Sequence, residues 1–207
     1  MTSIFFTSAI LFSFAVFQPD INKDDHQNHQ KDAEWEWLFD GKNTDAWKSV
    51  RSDKFPEKGW KIVGNELVVN GDENSGRGGD IITLNSYSSF DLQFDFKLSK
   101  GANGGLKYFV RIYPSGSVLG CEYQLIDDEN NKDIKKDEDG KRLTAGLYEL
   151  FEAKNKKMNP YGQWNTVRIL VDGKHVEHWL NGIKVLEYER GSEAFMKAKA
   201  KSKFKDV

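Results

Sequence analysis

Apolar and polar residues alternate with a period of two along most of the chain beyond Trp35. The clearest example is the run FDLQFDFKL over 90–98, in which large apolar side chains alternate with polar ones. Because successive side chains of a strand point to opposite faces, this run predicts an antiparallel strand with one face in the core. Further apolar runs over 106–112, 121–127 and 145–151 predict additional strands.

Three runs in the last third of the chain are joined by strong turn signals. Residues 164–171, 174–180 and 183–188 are separated by Asp172-Gly173 and by Asn181-Gly182. Asp-Gly and Asn-Gly favour two-residue hairpin turns, since both central positions of a type I′ turn take positive φ. The pattern therefore predicts a three-stranded antiparallel meander.

The remaining turn signals and interrupting segments complete the prediction of the fold class. The run WKIVGNELVV over 60–69 carries another hairpin signal, and only 192–204 is a candidate helix. Many short, closely spaced strands predict an all-β fold, a two-sheet antiparallel β-sandwich. Two charged or basic segments, 127–142 and 153–162, interrupt the strands. Each is either a solvated excursion or a loop that walls a ligand site.

The chain begins with an apolar segment, IFFTSAILFSFAVF over 4–17. It is too short to span a bilayer, which takes about 20 apolar residues, but it suits the apolar core of a signal peptide. Ser13 and Ala15 suit a cleavage site, whereas the basic residues that normally precede such a core are missing. A buried strand or helix is the alternative. We expect 1–17 to be a leader, and the protein to be periplasmic or secreted without a membrane span in its mature form.

Residues 18–34 are polar and contain few groups that could be buried, which predicts a solvated linker. His26 and His29 lie in this segment; we expect two solvated imidazoles, with a weak metal grip as the alternative. The predicted folded domain therefore comprises 35–207.

Composition narrows the function classes. The chain has 207 residues, with 30 Lys and Arg against 32 Asp and Glu, so no strong positive field attracts nucleic acid or an anionic membrane. Its single cysteine, Cys121, excludes an internal disulfide and a multi-cysteine zinc site. Aromatic residues make up 13% of the chain, which argues against disorder.

Polar side chains share one parity of the predicted strand over 121–127. Glu122, Gln124 and Asp128 fall on this parity, and mainly apolar residues fall on the other. Such a row either grips a polyol or simply faces solvent, and the sequence favours neither. Asp127 and Asp128 end the strand, where a twist or bulge could turn either carboxylate into a site.

Two further residues are candidates for chemistry. His178 shares its strand face with Val176 and Leu180, which suits a packed core histidine, although a partly buried histidine can also be a general base or a metal ligand. Asp80 follows two glycines. Glycines before a carboxylate allow the backbone to approach a ligand closely, or they simply form a turn.

Familiar catalytic signatures are missing from the sequence. The chain has no E-x-D-x-x-E motif, which places the two carboxylates of retaining β-sandwich glucanases on one face of a strand. It also has no G-x-S-x-G elbow, P-loop or H-E-x-x-H motif. Covalent hydrolysis by the usual carboxylate pair is therefore not supported.

Several segments, taken in order, resemble one known family. They are LFDGK at 38–42, GDIIT at 79–83, EYQLIDD at 122–128, TAGLY at 144–148 and VEHWLNG at 176–182. Together they are similar to motifs of the 3-keto-disaccharide hydrolase family, over about 35–207. The resemblance implies a concanavalin A-like lectin/glucanase sandwich, an exported bacterial protein, and activity on glycosides whose sugar is oxidised at carbon 3.

The sequence departs from that family at its end. Family members continue beyond a segment like 201–204 into a further strand, and no such strand follows here. We therefore expect either a truncated sequence, whose sandwich lacks its final strand, or a domain that closes differently. We also expect any site residue that the family takes from that strand, including a histidine, to be missing.

The resemblance implies a chemistry different from ordinary glycoside hydrolysis. A ketone at carbon 3 acidifies the proton at carbon 2, so a base can remove it while the glycosidic oxygen leaves carbon 1. This route needs a base, a group that polarises the ketone, and an acid for the leaving oxygen. The predicted catalytic residues are His178, Asp80 and Glu122, with His178 or Asp80 as the base.

The predicted substrate-binding residues are Gln124, Asp127, Trp164, Asn165 and Tyr148. Trp164 is expected to stack on the sugar. No cofactor is certain, although a divalent cation held by carboxylates and a histidine could polarise the ketone. The expected partner is a 3-keto-glycoside and not nucleic acid.

A non-catalytic carbohydrate-binding module is the alternative function. Six tryptophans suit a protein that binds glycans by stacking. Two smaller features have structural interpretations: Cys121 as a small packed apolar group, and the alternating lysines of 197–205 as a solvated tail.

Overall fold

The computed structural model describes residues 5–7, 14–17, 35–69, 78–136 and 139–206. Strands dominate this part of the chain. Their bounds are β1 Phe5–Thr7, β2 Phe14–Phe17, β3 Trp35–Phe39, β4 Trp47–Ser49, β5 Trp60–Val63, β6 Glu66–Val69, β7 Ile81–Thr83, β8 Phe90–Lys97, β9 Asn103–Ile112, β10 Val118–Ile126, β11 Trp164–Asp172, β12 His175–Leu180 and β13 Ile183–Glu189. The helical elements among these residues are α1 (Glu193–Lys201) and a 3₁₀ helix (Lys132–Lys136).

The strands form two main sheets. One sheet has five strands in the order β10-β9-β1-β7-β4, and the other has six in the order β13-β12-β11-β8-β2-β3. β5 and β6 form a separate hairpin, as the run over 60–69 predicts. Neighbouring strands of the two main sheets pair antiparallel. The predicted all-β, antiparallel sandwich is therefore confirmed.

The inner faces of the two sheets share one hydrophobic core. Burial along β8 alternates from Phe90 to Lys97, as the sequence pattern predicts. Tyr108 and Tyr123 of the five-stranded sheet join Val167 and Ile169 of the six-stranded sheet in this core. Burying one side chain of this kind stabilises a fold by about 1.5–3 kcal/mol, so the alternation fixes which face of each strand turns inward.

The predicted meander corresponds to β11, β12 and β13. Its second turn has the expected backbone, because Asn181 and Gly182 both have positive φ, 49° and 77°. The first turn differs from the prediction. Asp172 pairs with His175 in the ladder, so the loop begins at Gly173, which has a φ of 58°.

The run over 145–151 is not a strand, and the sequence prediction was wrong there. Ala145 and Glu149 have φ angles of 70° and 69°, which no regular strand contains. Leu147 makes isolated bridges with Tyr123 and Phe151 instead. The segment therefore follows the free edge of β10 as a looped wall.

The candidate helix is present as α1, which is shorter than the predicted 192–204. The Ser192 side chain accepts a hydrogen bond from the N–H of Phe195 at 3.2 Å and caps its first turn. The Phe195 ring stacks on Tyr188, with centroids 5.8 Å apart. None of the helices in the described residues is long and apolar enough to cross a membrane.

Two pieces of the apolar N-terminal segment lie in the sheets. β1 sits between β9 and β7, where Phe5 is the register partner of both Lys107 and Ile82. β2 sits between β8 and β3. Removal of 1–17 as a leader concerns processing and stays a prediction. The predicted linker over 18–34, with His26 and His29, lies outside the described residues.

Candidate functional site

Glu122 and Lys107 form the centre of the candidate site. They are direct register partners on β10 and β9. Their strand neighbours Tyr123 and Leu106, which also pair with each other, are fully buried in the core. Alternation therefore places Glu122 and Lys107 on the outer face of the five-stranded sheet. Side chains directly opposite in this way have Cβ atoms about 4.5–5.5 Å apart, so a carboxyl and an ammonium group share this point of the sheet.

A β-bulge produces this pairing. On the turn side Leu119 pairs with Arg111, and on the other side Cys121 pairs with Tyr108. Two residues of β9, Phe109 and Val110, therefore lie opposite one residue of β10. Phe109 has a φ of 54°, which is the left-handed conformation that many bulges require.

Gly105 provides the space in which the Glu122 carboxyl group lies. A Cβ atom at Gly105 would be 2.3 Å from Oε1 and 2.8 Å from Cγ of Glu122. Any larger residue would therefore displace the carboxyl group. The missing side chain of this glycine leaves room for the Glu122 side chain to lie against the sheet.

Asp80 and Glu122 are electrostatically linked through Lys107. Burial raises the pKa of Glu122, the nearby Asp80 raises it further, and Lys107 and Lys203 oppose that rise. Burial also raises the pKa of Asp80, against the opposing charges of Lys107 and Arg51. The site therefore contains two carboxyl groups with raised pKa and a lysine that acts on both.

Tyr148 and Lys203 form one wall of the site. The Tyr148 N–H donates to the carbonyl oxygen of Glu122 at 3.0 Å. Lys203 Nζ donates to the Tyr148 hydroxyl at 3.0 Å and lies 4.2 Å from the centroid of its ring. Tyr148 is thus a predicted site residue that the structure brings next to Glu122.

Gln124 shares the face of Glu122 but is covered. Its side chain donates from Nε2 to Asn103 Oδ1 at 3.0 Å, and the residue is 2% exposed. Its backbone pairs with Ala145 and Gly146 of the looped wall. Gln124 therefore holds neighbouring loops in place through its hydrogen bonds and offers a substrate almost no accessible surface.

His178 lies in the core, an environment that does not suit its predicted role as a base. The residue is 0% exposed. Its Nε2 lies 2.6 Å from the Tyr108 hydroxyl and its Nδ1 lies 2.9 Å from the carbonyl oxygen of Ala145. Burial lowers the pKa of His178 to about 4, so the ring is neutral at pH 7. The neutral ring links the two sheets and holds the looped wall through Ala145.

Asp127 anchors a loop, and its role in substrate binding stays a prediction. Its carboxylate accepts N–H donors from Gly101 at 2.8 Å and from Glu129 and Asn130 at 3.1 Å. Burial works in the opposite direction, but these hydrogen bonds hold the pKa of Asp127 below its ordinary value. Asp128 is likewise occupied, because it accepts from the N–H of Thr144 at 2.9 Å.

Trp164 and Asn165 belong to the other sheet and do not join the Glu122 site. Trp164 begins β11 in the six-stranded sheet, is 41% exposed, and has Lys97 Nζ 4.7 Å from its ring centroid. Asn165 is 3% exposed and accepts from the N–H of Asn159 at 2.7 Å and from Asn181 at 2.9 Å. The two residues shape a loop instead of binding a sugar beside Glu122.

Lys107 and Lys203 are the site residues that sequence reasoning missed. Lys107 lies between the apolar residues of β9, and only the hairpin register shows that it faces Glu122. Lys203 was assigned to a solvated tail together with the other lysines of 197–205. Lys203 is indeed exposed, but it also contacts Tyr148, which the sequence pattern does not indicate.

Metal-ligating groups do not gather at Glu122. Within the described residues, the one cluster with suitable spacing is His175, Glu177 and Glu187, whose ligand atoms lie within 4.8 Å of one another. It lies on β12 and β13 of the six-stranded sheet, where Lys184 Nζ already contacts Glu177 at 3.0 Å. The positive charge of Lys184 already compensates these carboxylates, so their proximity does not require a bound metal ion.

Comparison with known proteins places this chain among carbohydrate-active relatives. Residues 34–205 match the family described as the 3-keto-alpha-glucoside-1,2-lyase-like domain. A protein of Bacteroides thetaiotaomicron named 3-keto-disaccharide hydrolase is 31% identical over 182 residues, which cover 81% of this chain and 62% of that protein. The chain thus spans less than two thirds of that relative's length.

A solved structure supports the same relationship. A protein from Parabacteroides distasonis, provisionally named a glycosyl hydrolase, has 30% sequence identity and a TM-score of 0.72, and the match covers 83% of this chain and 79% of that one. The family match covers most of the chain, and the fold agrees with it. The chain therefore belongs to the family of 3-keto-alpha-glucoside-1,2-lyase-like domains.

Proposed function

We propose that this domain cleaves 3-keto-glycosides by base-assisted elimination at the Glu122–Lys107 pair. One observation supports this most directly: Glu122 has a raised pKa and stands opposite a lysine on the outer face of the sheet. A carboxylate of raised pKa is a stronger base than an ordinary one. A neighbouring ammonium group can stabilise the negative charge that develops on a ketone oxygen.

In the proposed reaction Glu122 removes the proton from carbon 2 of the keto sugar. The electron pair of that bond moves toward the carbon 3 ketone, whose oxygen takes up negative charge beside Lys107. The enolate then expels the glycosidic oxygen from carbon 1, which leaves an unsaturated keto sugar and an alcohol. Asp80, which also has a raised pKa, supplies the proton to the leaving oxygen. Addition of water to the unsaturated sugar would complete a net hydrolysis.

The test uses 3-keto-glucosides with two leaving groups, 4-nitrophenol and methanol. Glu122→Gln should lower turnover of both by at least about a hundredfold, since it removes the base. Asp80→Asn should impair the methyl glycoside far more than the nitrophenyl glycoside, because nitrophenolate leaves without a proton. Glu187→Gln, which changes a carboxylate of the six-stranded sheet, serves as the matched control and should retain full turnover.

Several outcomes would refute this proposal. Undiminished turnover by Glu122→Gln excludes Glu122 as the base. Equal losses with both leaving groups exclude Asp80 as the acid. Binding of the keto sugar without turnover by the unmodified protein favours a carbohydrate-binding module instead.

Export of the protein is part of the proposal and rests on the apolar segment over 4–17. Expression in a bacterium with a periplasm, followed by mass determination of the mature chain, tests it. Loss of about the first 17 residues supports a leader, and an intact N-terminus in the cytoplasm excludes one.

A further inference from the structure

A cavity of about 310 Å³ lies beside the β9–β10 hairpin, where Leu119 and Cys121 of β10 line it from the strand face opposite to that of Glu122. The residues that decide its chemistry are Phe109, Arg111, Tyr148, Arg190, Lys199 and Phe204. Tyr148 is also among the lining residues, and its N–H donates to the backbone carbonyl oxygen of Glu122. The cavity is therefore a second space beside β10, separate from the Glu122–Lys107 pair.

The cavity carries only positive charge. Arg111, Arg190 and Lys199 line it, and no aspartate or glutamate is among the described residues of its walls. The whole chain has a net charge of −2, so this local excess is not a consequence of composition. Three cations around one concave space raise the local concentration of anions.

The guanidinium groups of both arginines lie over aromatic rings. The Cζ atom of Arg190 lies 4.2 Å from the centroid of Phe109, and that of Arg111 lies 5.0 Å from the centroid of Tyr113. Stacking occupies the face of a guanidinium group but leaves the N–H donors in its plane. Within the described residues neither arginine has a carboxylate at ion-pair distance, 4.0 Å or less.

The backbone beside the cavity has an unusual conformation and is held by a hydrogen bond. Phe109 is the bulged residue of β9, with a φ of 54°, a costly conformation for an aromatic residue. The N–H of Arg190 donates to the carbonyl oxygen of Lys174 at 2.8 Å, which fixes the backbone from which that arginine extends. Unusual backbone that is retained beside a site is a reason to look for function there.

We propose that this cavity binds an aromatic carboxylate. The volume suits one substituted ring, since small-molecule pockets begin at about 300 Å³. Aromatic walls provide the stacking surface, and the arginine forks match a carboxylate in geometry.

Calorimetric binding of 4-hydroxybenzoate tests the proposal without any turnover. The unmodified protein should bind it at least about tenfold more tightly than the neutral isostere 4-hydroxybenzamide, as one charge-assisted hydrogen bond provides. Arg190→Gln and Arg111→Gln should each abolish that preference. Lys61→Gln, which removes an exposed cation from the separate β5–β6 hairpin, should retain it. Equal affinity for acid and amide, or no binding of either, overturns the proposal.

A second experiment separates this site from the catalytic one. Glu122→Gln should bind 4-hydroxybenzoate as the unmodified protein does. If no keto-glucoside is cleaved but the carboxylate binds with the expected preference, the proposed function fails and the anion site stands. Loss of carboxylate binding in Glu122→Gln would overturn a site separate from the catalytic one.

Discussion

Glu122 of β10 faces Lys107 of β9 only because the hairpin shifts its register by one residue. On the turn side of the bulge, Leu119 pairs with Arg111. Three more steps along each strand in that register would set Glu122 against Tyr108, a fully buried core residue. The bulge therefore brings an ammonium group to the carboxyl group and leaves the core tyrosine on the inner face.

Replacing Lys107 by Gln should move the acid limb of the pH profile of kcat/KM to higher pH. The ammonium of Lys107 favours the ionised form of Glu122, so its loss raises the pKa of that carboxyl group further. The base is then protonated over more of the acidic range, and turnover at a given acidic pH falls. Lys61→Gln should leave the profile in place. An unmoved acid limb in Lys107→Gln would show that the two groups are not coupled.

Gly105→Ala should remove activity with little loss of stability. The added methyl group overlaps the flexible Glu122 side chain, which can swing away, and not the backbone. Misplacing a catalytic group by about 1 Å can cost about a hundredfold in rate. Turnover of the nitrophenyl keto-glucoside together with thermal unfolding checks both parts. A variant that unfolds early, or one that stays fully active, contradicts this account of Gly105.

His178→Gln should flatten the pH dependence of stability. The pKa of His178 is about 4 in the folded protein and about 6.5 when unfolded, so the unfolded chain binds more protons between those values. Folding stability therefore falls as pH drops below about 6.5, and this residue accounts for about 2 kcal/mol of loss between pH 7 and pH 5. Glutamine can hydrogen-bond to the same partners but does not titrate.

Urea unfolding of both proteins at pH 7 and pH 5 measures this effect. The difference between the two pH values should be smaller by about 2 kcal/mol in the variant. An identical pH dependence in the two proteins would mean that His178 is not buried as a neutral ring.

Gly120→Ala should destabilise the protein and disturb the register. Its Cβ would lie 2.7 Å from the backbone carbonyl oxygen of Tyr108, opposite the bulge, and backbone cannot give way as a side chain can. Overpacking of this kind costs about 1–3 kcal/mol. Urea unfolding measures the loss, with the exposed Ser117→Ala as a control that should change stability by no more than about 0.5 kcal/mol. Equal stability of the two variants would argue against the bulge.

Much of the fold could be predicted because period-two alternation is a local signal. The strand over 90–98 and the meander over 164–188 follow from it directly, since each apolar face must find the core. The segment over 145–151 could not be predicted in this way. Its apolar residues look like a strand, but two left-handed residues turn it into a wall.

The site was less predictable because it depends on which sheet and which face a strand joins. Alternation shows that Trp164 is on one face of its strand, but not that β11 lies in the sheet opposite Glu122. The same pattern correctly assigned His178 to an apolar, inward face of its strand. A catalytic base would instead have to lie on a face that a substrate can reach. Lys107 needed the hairpin register, and the bulge changes that register by one residue.

The position of β1 has a consequence for the order of export and folding. β1 holds the middle of the five-stranded sheet, between the strand that carries Lys107 and the strand that follows Asp80. The two halves of the proposed site are therefore joined through a strand of the segment that we propose to be a leader. Under that proposal export and folding compete for the same residues, because a leader that is paired within a sheet is not accessible to the export machinery.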